Sequence, residues 1–237
     1  MYTLRDGTET EDKRLDRLVL FDEASRRYSI RDILPADAVA PRTHEWRCKT
    51  VLNQGRNGAC VAFAVAHELI AEPVEVTGVT KRFVVRDIYW EAQKIDPWQG
   101  GCYPGAKPRY EGTAVLAGMK AAQRIGAFSG YRWAFGLDDL VVGVGYSGPA
   151  VVGLPWYADM EKPNGAGYIT PTGKLLGGHC VLCRGVNVER QDFTLRNSWG
   201  RRWNHGGDCR ISWADMDMLL HQRGEAVFAV ERHAVAL

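Results

Sequence analysis

The stretch from Val61 to Glu72 holds neither glycine nor proline, ends against Pro73, and opens with the apolar run Val61-Ala62-Phe63-Ala64-Val65-Ala66. A helix that is hydrophobic all round cannot lie on a surface, so the rest of the chain must be wrapped around it. The pattern predicts a buried central helix over Cys60 to Glu72 with Cys60 at its N-terminus. The positive end of a helix stabilises a thiolate and lowers the thiol pKa from its free value of about 8.5. Just upstream, Gln54-Gly55-Arg56-Asn57-Gly58-Ala59 supplies a side-chain N–H donor at Gln54 and glycines that let the backbone bend tightly. Taken alone, a cysteine in such a place is more often a small core residue than a nucleophile. Partners elsewhere must decide.

A thiol nucleophile needs a base and a group to orient that base. Gly177-Gly178-His179-Cys180-Val181-Leu182-Cys183 places a histidine at the start of an apolar strand, where it can face a cleft. A second strand, Phe193-Thr194-Leu195-Arg196, runs into Asn197-Ser198-Trp199-Gly200. The Asn197 carbonyl oxygen can accept from the imidazole N–H and leave a thiolate–imidazolium pair as the resting state, while Trp199 keeps water off that bond. His67 lies two turns along the central helix and His205 in a turn, so both are expected to be structural. Cys180 and Cys183, three apart on a strand, point to opposite faces, which argues against zinc; Cys209 is expected to pack as a core thiol, the alternative being an approach to Cys183 from a neighbouring strand.

Together these motifs resemble the papain-like cysteine peptidases, in the family's order: Gln54-Gly55, Cys60-Val61-Ala62-Phe63, Gly178-His179, and Asn197-Ser198-Trp199-Gly200 with Trp203, preceded by Glu45-Trp46-Arg47. The resemblance covers about residues 40 to 232. It implies that Cys60 is the nucleophile, His179 the general base and then acid, and Asn197 the group that orients His179. The Gln54 amide and the Cys60 N–H would form the oxyanion hole. It also implies a glycine along which an extended substrate lies, matched to Gly112 with Gly100-Gly101 as competitor, substrate contact at Trp199, and no metal or organic cofactor. Asn57 stands where most eukaryotic members have a disulfide cysteine, and Val61 where a tryptophan is usual. With six cysteines in all, reduced thiols are the simpler expectation.

The expected fold is α+β. Residues 1–40 form an N-terminal extension or strap with a docking contact at Leu15, Leu18 and Val19, 41–140 a mainly helical half, and 141–237 a mainly antiparallel β half, with the cleft between the halves. Helices are expected over Val84 to Lys94 and Ala114 to Gly126. Strands are expected over Ala150 to Leu154, Cys180 to Asn187, Phe193 to Asn197, Gly207 to Trp213 and Ala226 to Val230. The loops Asp96 to Glu111 and Trp156 to Lys174 should wall the cleft. Thirty Lys and Arg against 28 Asp and Glu give a net charge of +2 over 237 residues, no basis for a nucleic-acid or membrane partner. No signal-peptide core or membrane-length apolar run is present, which points to a cytoplasmic or phage-associated setting. The expected activity is peptide or protein hydrolysis through a thioester. The alternative is a non-catalytic papain-like component of a bacterial or phage assembly, with residues 1–40 as a possible contact.

Overall fold

The central helix is Cys60–Leu69, and all ten of its residues are buried. Its position follows from its composition: one side meets strands Ala150–Tyr157 and Leu175–Asn187, the other meets helix Val115–Arg124. Gly118 permits that second approach, since a Cβ there would stand 2.7 Å from Val61 Cγ1. The computed structural model describes residues 1–36, 38 and 40–235. Two positions of the expected 1–40 segment and the last two of the expected 141–237 half lie outside the described residues.

Helices on the Cys60 side comprise Cys60–Leu69, Val115–Arg124 and a rod of three consecutive stretches, Lys81–Phe83, Val84–Tyr89 and Trp90–Ile95, the middle one π-helical. The other side is a seven-stranded sheet in the order Asp208–Ser212, Asp192–Arg196, Leu175–Asn187, Ala150–Tyr157, Glu225–Arg232, Phe128–Ala134, with His44–Glu45 added on Leu175–Asn187. Every pairing in it is antiparallel. Two hydrophobic clusters result. Cys180 belongs to the cluster around the central helix and Cys183 to the one behind the sheet, so the two thiols do face opposite ways. All six cysteines are unpaired.

Three of the larger elements depart from the sequence reading, one being helix Trp213–His221, which follows directly on strand Asp208–Ser212. Strand Phe128–Ala134, from before residue 141, is an outer strand of the large sheet, and helix Leu137–Tyr146 covers its far face. The helix is hidden in the sequence by Gly143 and Gly145, which serve packing: a Cβ on Gly143 would lie 2.4 Å from the Phe228 ring.

Residues 11–18 form an ordered strap between the halves. Leu15 and Leu18 are buried, as the docking contact requires, and Val19 is half-buried. Arg17–Leu18 pairs in parallel with Thr113–Ala114 on one side, and Asp16 bridges in parallel to Gly178 on the other.

Candidate active site

The strand Leu175–Asn187 delivers His179 to the interface between the halves, and the end of strand Asp192–Arg196 delivers Asn197 beside it. His179 Nε2 and Asn197 Oδ1 are 2.9 Å apart. Asn197 Oδ1 also accepts from the Ser198 backbone N–H at 2.7 Å, which identifies it as the oxygen. Nε2 must therefore carry the proton and donate, leaving Nδ1 as the basic nitrogen. Nδ1 is buried without a hydrogen-bond partner. Trp199 lies over the ring at 5.0 Å and Trp156 meets it edge-on at 4.6 Å, so two indoles shield the His179–Asn197 bond. Trp199 also carries the Arg14 guanidinium on its other contact, 4.1 Å from the ring centroid.

Gln54 is held rigidly. Its Oε1 accepts from Ser198 Oγ at 2.5 Å, and its backbone N–H donates to Ser198 O at 2.9 Å, which ties it to the asparagine loop. Its Nε2 is thereby turned toward the cleft, where it donates to Asn57 O at 2.9 Å and to Arg14 O at 3.4 Å.

At the helix end, Ala59 offers no side-chain cap. The Cys60 N–H donates instead to Asp16 Oδ1 at 3.0 Å, a cap supplied from 44 residues earlier. A carboxylate at this end of a helix is favourable electrostatically. Asp16 Oδ2 accepts from Tyr89 OH at 3.0 Å, and the carboxyl is also the hydrogen-bond partner of the Cys60 thiol. Both donors expected to face a reacting carbonyl thus hold oxygens of the strap. Those oxygens belong to different groups, so no single carbonyl is clamped between the donors.

This occupancy works against one expectation. Burial drives the Cys60 thiol well above its ordinary range, and Asp16 adds to the effect. Burial also lowers His179 to about 4 against the opposing Asn197 hydrogen bond. Cys60 and His179 are fully buried, so in this conformation burial opposes both the thiolate and the imidazolium. The helix-end field that favours the thiolate is present but is already used by Asp16.

Gly112 faces the strap, where a Cβ would meet Leu18 at 3.0 Å and Asp16 O at 3.2 Å. Its own backbone groups are engaged by Tyr89 and Gln93, so the hydrogen bond to the strap comes from the next residue, Thr113 N–H to Asp16 O at 3.4 Å. Gly100-Gly101 packs on Pro108 and Tyr103 within its own loop. His67 accepts from the Leu52 N–H at 3.0 Å, and burial lowers it to about 3; His205 lies in a turn bridged to Asp208.

Sequence reasoning missed Asp16, Arg14 and Trp156. The doublet Gly177-Gly178 was the available signal: a Cβ on Gly178 would stand 2.3 Å from Arg17 O, so a backbone must pass there.

The structure superposes on xylellain, a cysteine protease from Xylella fastidiosa, with a TM-score of 0.62, 19% identity, and coverage of 94% of this chain and 98% of that one. The fold is papain-like. Procathepsin B S9 from Trypanosoma congolense gives a TM-score of 0.55 at 13% identity over 93% of this chain and 88% of that one. Procathepsin L2 from Tenebrio molitor larval midgut gives 0.54 at 20% identity over 92% and 78%. No protein-family model and no curated protein matches the chain. The papain-like α+β architecture accounts for the helix that carries Cys60 on one side of an interface and, on the other, the strand that carries His179 and the strand end that leads into Asn197. Among the described residues, no helix is long and apolar enough to cross a membrane.

Proposed function

We propose that the chain is a cysteine-type peptidase whose site is closed by its own residues 11–18. The observation that carries this reading is the His179 Nε2–Asn197 Oδ1 hydrogen bond, which fixes the tautomer and leaves Nδ1 as a free base at the interface with the Cys60 helix end. With the strap lifted, Nδ1 takes the Cys60 proton and the sulfur attacks a peptide carbonyl carbon. The Gln54 amide and the Cys60 N–H hold the resulting oxyanion. Collapse passes the proton from His179 to the leaving amine and leaves a thioester on Cys60. Water, deprotonated by His179, then releases the acid and restores the thiol.

The oxygens now held by Gln54 and the Cys60 N–H support the oxyanion role, since each donor already binds an oxygen. Gly112 and Trp199 are proposed substrate contacts, on their contacts with Leu18 and Arg14 of the strap. The unpaired cysteines favour a reducing, cytoplasmic or phage-associated setting. A partner that engages residues 1–40 would free the site.

The closed cleft also suits a non-catalytic module. An epoxide directed at cysteine peptidases separates the two under reducing conditions: mass-mapped labelling at Cys60 is expected, and its absence from chains with a lifted strap would reject the enzyme.

Closure should depend on pH. Burial raises Asp16 to about 7, with Glu111 acting in the same direction and the Cys60 and Tyr89 hydrogen bonds opposing. A released strap returns Asp16 to about 3.9, so between these values the docked form holds the extra proton. Docking is therefore strongest below about 4 and weakens by up to about tenfold per pH unit until about 7, then levels off. Epoxide labelling of the wild type should rise through this window beyond the rise due to the thiol itself. Asp16→Asn, which keeps a neutral group in the site, should lack that extra rise; identical profiles for the two would remove Asp16 from the control of closure.

A further inference from the structure

The phenol of Tyr89 is a buried titratable group that the reaction above does not use. Its oxygen accepts from the Gly112 N–H at 2.9 Å, and its proton goes to Asp16 Oδ2 at 3.0 Å. Asp16 holds the Cys60 N–H through its other oxygen, so one carboxyl joins Tyr89 to the end of the central helix. Tyr89 keeps only 3% of its exposure. Burial raises its pKa well above the ordinary value, with Asp16 acting in the same direction, and the group remains a donor at neutral pH.

The rod is shaped around this contact. Tyr89 ends the π-helical stretch Val84–Tyr89, where the Trp90 N–H bonds back to Val85 O. Such wide turns are rare and are frequent at functional sites. Gln93, one turn on, donates from Nε2 to Gly112 O at 3.1 Å, so both backbone groups of Gly112 are committed to the rod. An extended peptide passing Gly112 finds no free N–H on the glycine itself. What it meets is the hydroxyl to which that N–H has been given: Gly112 donates to Tyr89, and Tyr89 donates onward to the strap.

The onward hydrogen bond lasts only while the strap is docked. The Cys102 thiol, also beside the hydroxyl, gives its own proton to Tyr110 O at 3.4 Å, and sulfur is a weak acceptor. Lifting residues 11–18 removes the Asp16 oxygen and leaves a buried O–H near Cys60 that a substrate oxygen can satisfy. The seat favours an uncharged acceptor. Burial there raises Asp16 itself to about 7, so a carbonyl oxygen enters at lower cost than a carboxylate.

We propose that Tyr89 is a substrate-binding residue whose hydroxyl donates to a backbone carbonyl of the acyl half of the peptide, in the place now held by Asp16 Oδ2. This rests on the peptidase reading above and adds the group that grips the substrate backbone where Gly112 has no donor to offer.

Peptide binding without turnover tests it. The full chain carries Leu15→Asp and Leu18→Asp to undock the strap and Cys60→Ala to prevent reaction. Calorimetry compares acetyl-Ala-Leu-Ala-Ala-Ala amide, whose leucine can replace Leu18 against Gly112, with analogues in which one carbonyl at a time becomes a methylene. Tyr89→Phe is expected to weaken the parent peptide by about tenfold. One analogue should bind the Tyr89 chain as weakly as the parent binds the Tyr89→Phe chain, and should lose nothing further on that substitution. A purely structural role through Gly112 would instead weaken every peptide alike. That result, equal affinities of the two chains for the parent, or binding of the parent by neither would overturn the proposal. If Tyr89→Phe does not fold, replacing Tyr89 by 3-fluorotyrosine keeps the hydroxyl and makes it a stronger donor. The parent should then bind more tightly and the one analogue unchanged, and no gain for the parent would overturn the proposal. Because calorimetry needs no turnover, the two readings fail separately. Binding that depends on Tyr89 and one carbonyl, with Cys60 inert to the epoxide, refutes the peptidase and keeps the contact, whereas a labelled Cys60 with affinities indifferent to Tyr89 refutes the contact alone.

Discussion

Replacing Leu15 and Leu18 together by aspartate in the intact chain should accelerate epoxide labelling of Cys60 by at least about a hundredfold. Both leucines are fully buried, Leu15 against the Gly177 backbone and Leu18 against Gly112. Truncating a buried leucine costs about 2–5 kcal/mol, and a carboxylate in its place adds the penalty of burying a charge. Two such changes exceed the roughly 2.7 kcal/mol that corresponds to a hundredfold shift in strap opening. The polar contacts around the leucines depend on the same docking. Asp16 can hold the Cys60 N–H, and Arg14 O can hold the Gln54 amide, only while the strap backbone lies along Thr113 and Gly178. Opening should also return Cys60 to solvent contact and free the helix end for the thiolate. If the double variant stays folded and labels at the wild-type rate, residues 11–18 do not control access.

In that opened background, His179→Ala should reduce peptide hydrolysis by about a thousandfold or more, and Asn197→Ala by only about ten- to a hundredfold. The first removes the group that carries the proton in both halves of the reaction. The second removes an acceptor but leaves an imidazole held between Trp156 and Trp199. What Asn197→Ala loses is the fixed tautomer: without Oδ1, Nε2 no longer has a reason to hold the proton, and part of the population presents Nδ1–H to the thiol. Comparing kcat/KM for the two variants on one fluorogenic peptide checks the ordering. Equal or inverted losses would assign the base elsewhere.

The candidate site residues were visible in the chain because their types and spacing suit the proposed chemistry. Cys60 heads an apolar run with no helix breaker, His179 and Asn197 stand at strand edges, and Gln54 precedes two glycines. The strands flanking them were equally plain, since Cys180 to Cys183 and Ala226 to Val230 are continuous apolar runs. Phe128–Ala134 was less so, because Ser129, Gly130 and Arg132 break its apolar pattern. Contacts made across long stretches of chain left no local trace. Asp16 caps a helix 44 residues away, and Arg17 meets Glu225 across 208. Nothing in a window of sequence distinguishes a carboxylate that will be buried against a thiol from one that will face water. The expected thiolate–imidazolium pair meets the same obstacle: it follows from the helix end alone, and the strap that occupies that end is specified elsewhere.

The most direct test of a peptidase closed by its own strap is peptide-bond hydrolysis by the Leu15→Asp/Leu18→Asp chain, with products mapped by mass spectrometry under reducing conditions. The account predicts cleavage that is lost in Cys60→Ala and suppressed by the epoxide. A folded chain with Cys60 accessible to the epoxide that cleaves no member of a broad peptide library would contradict it.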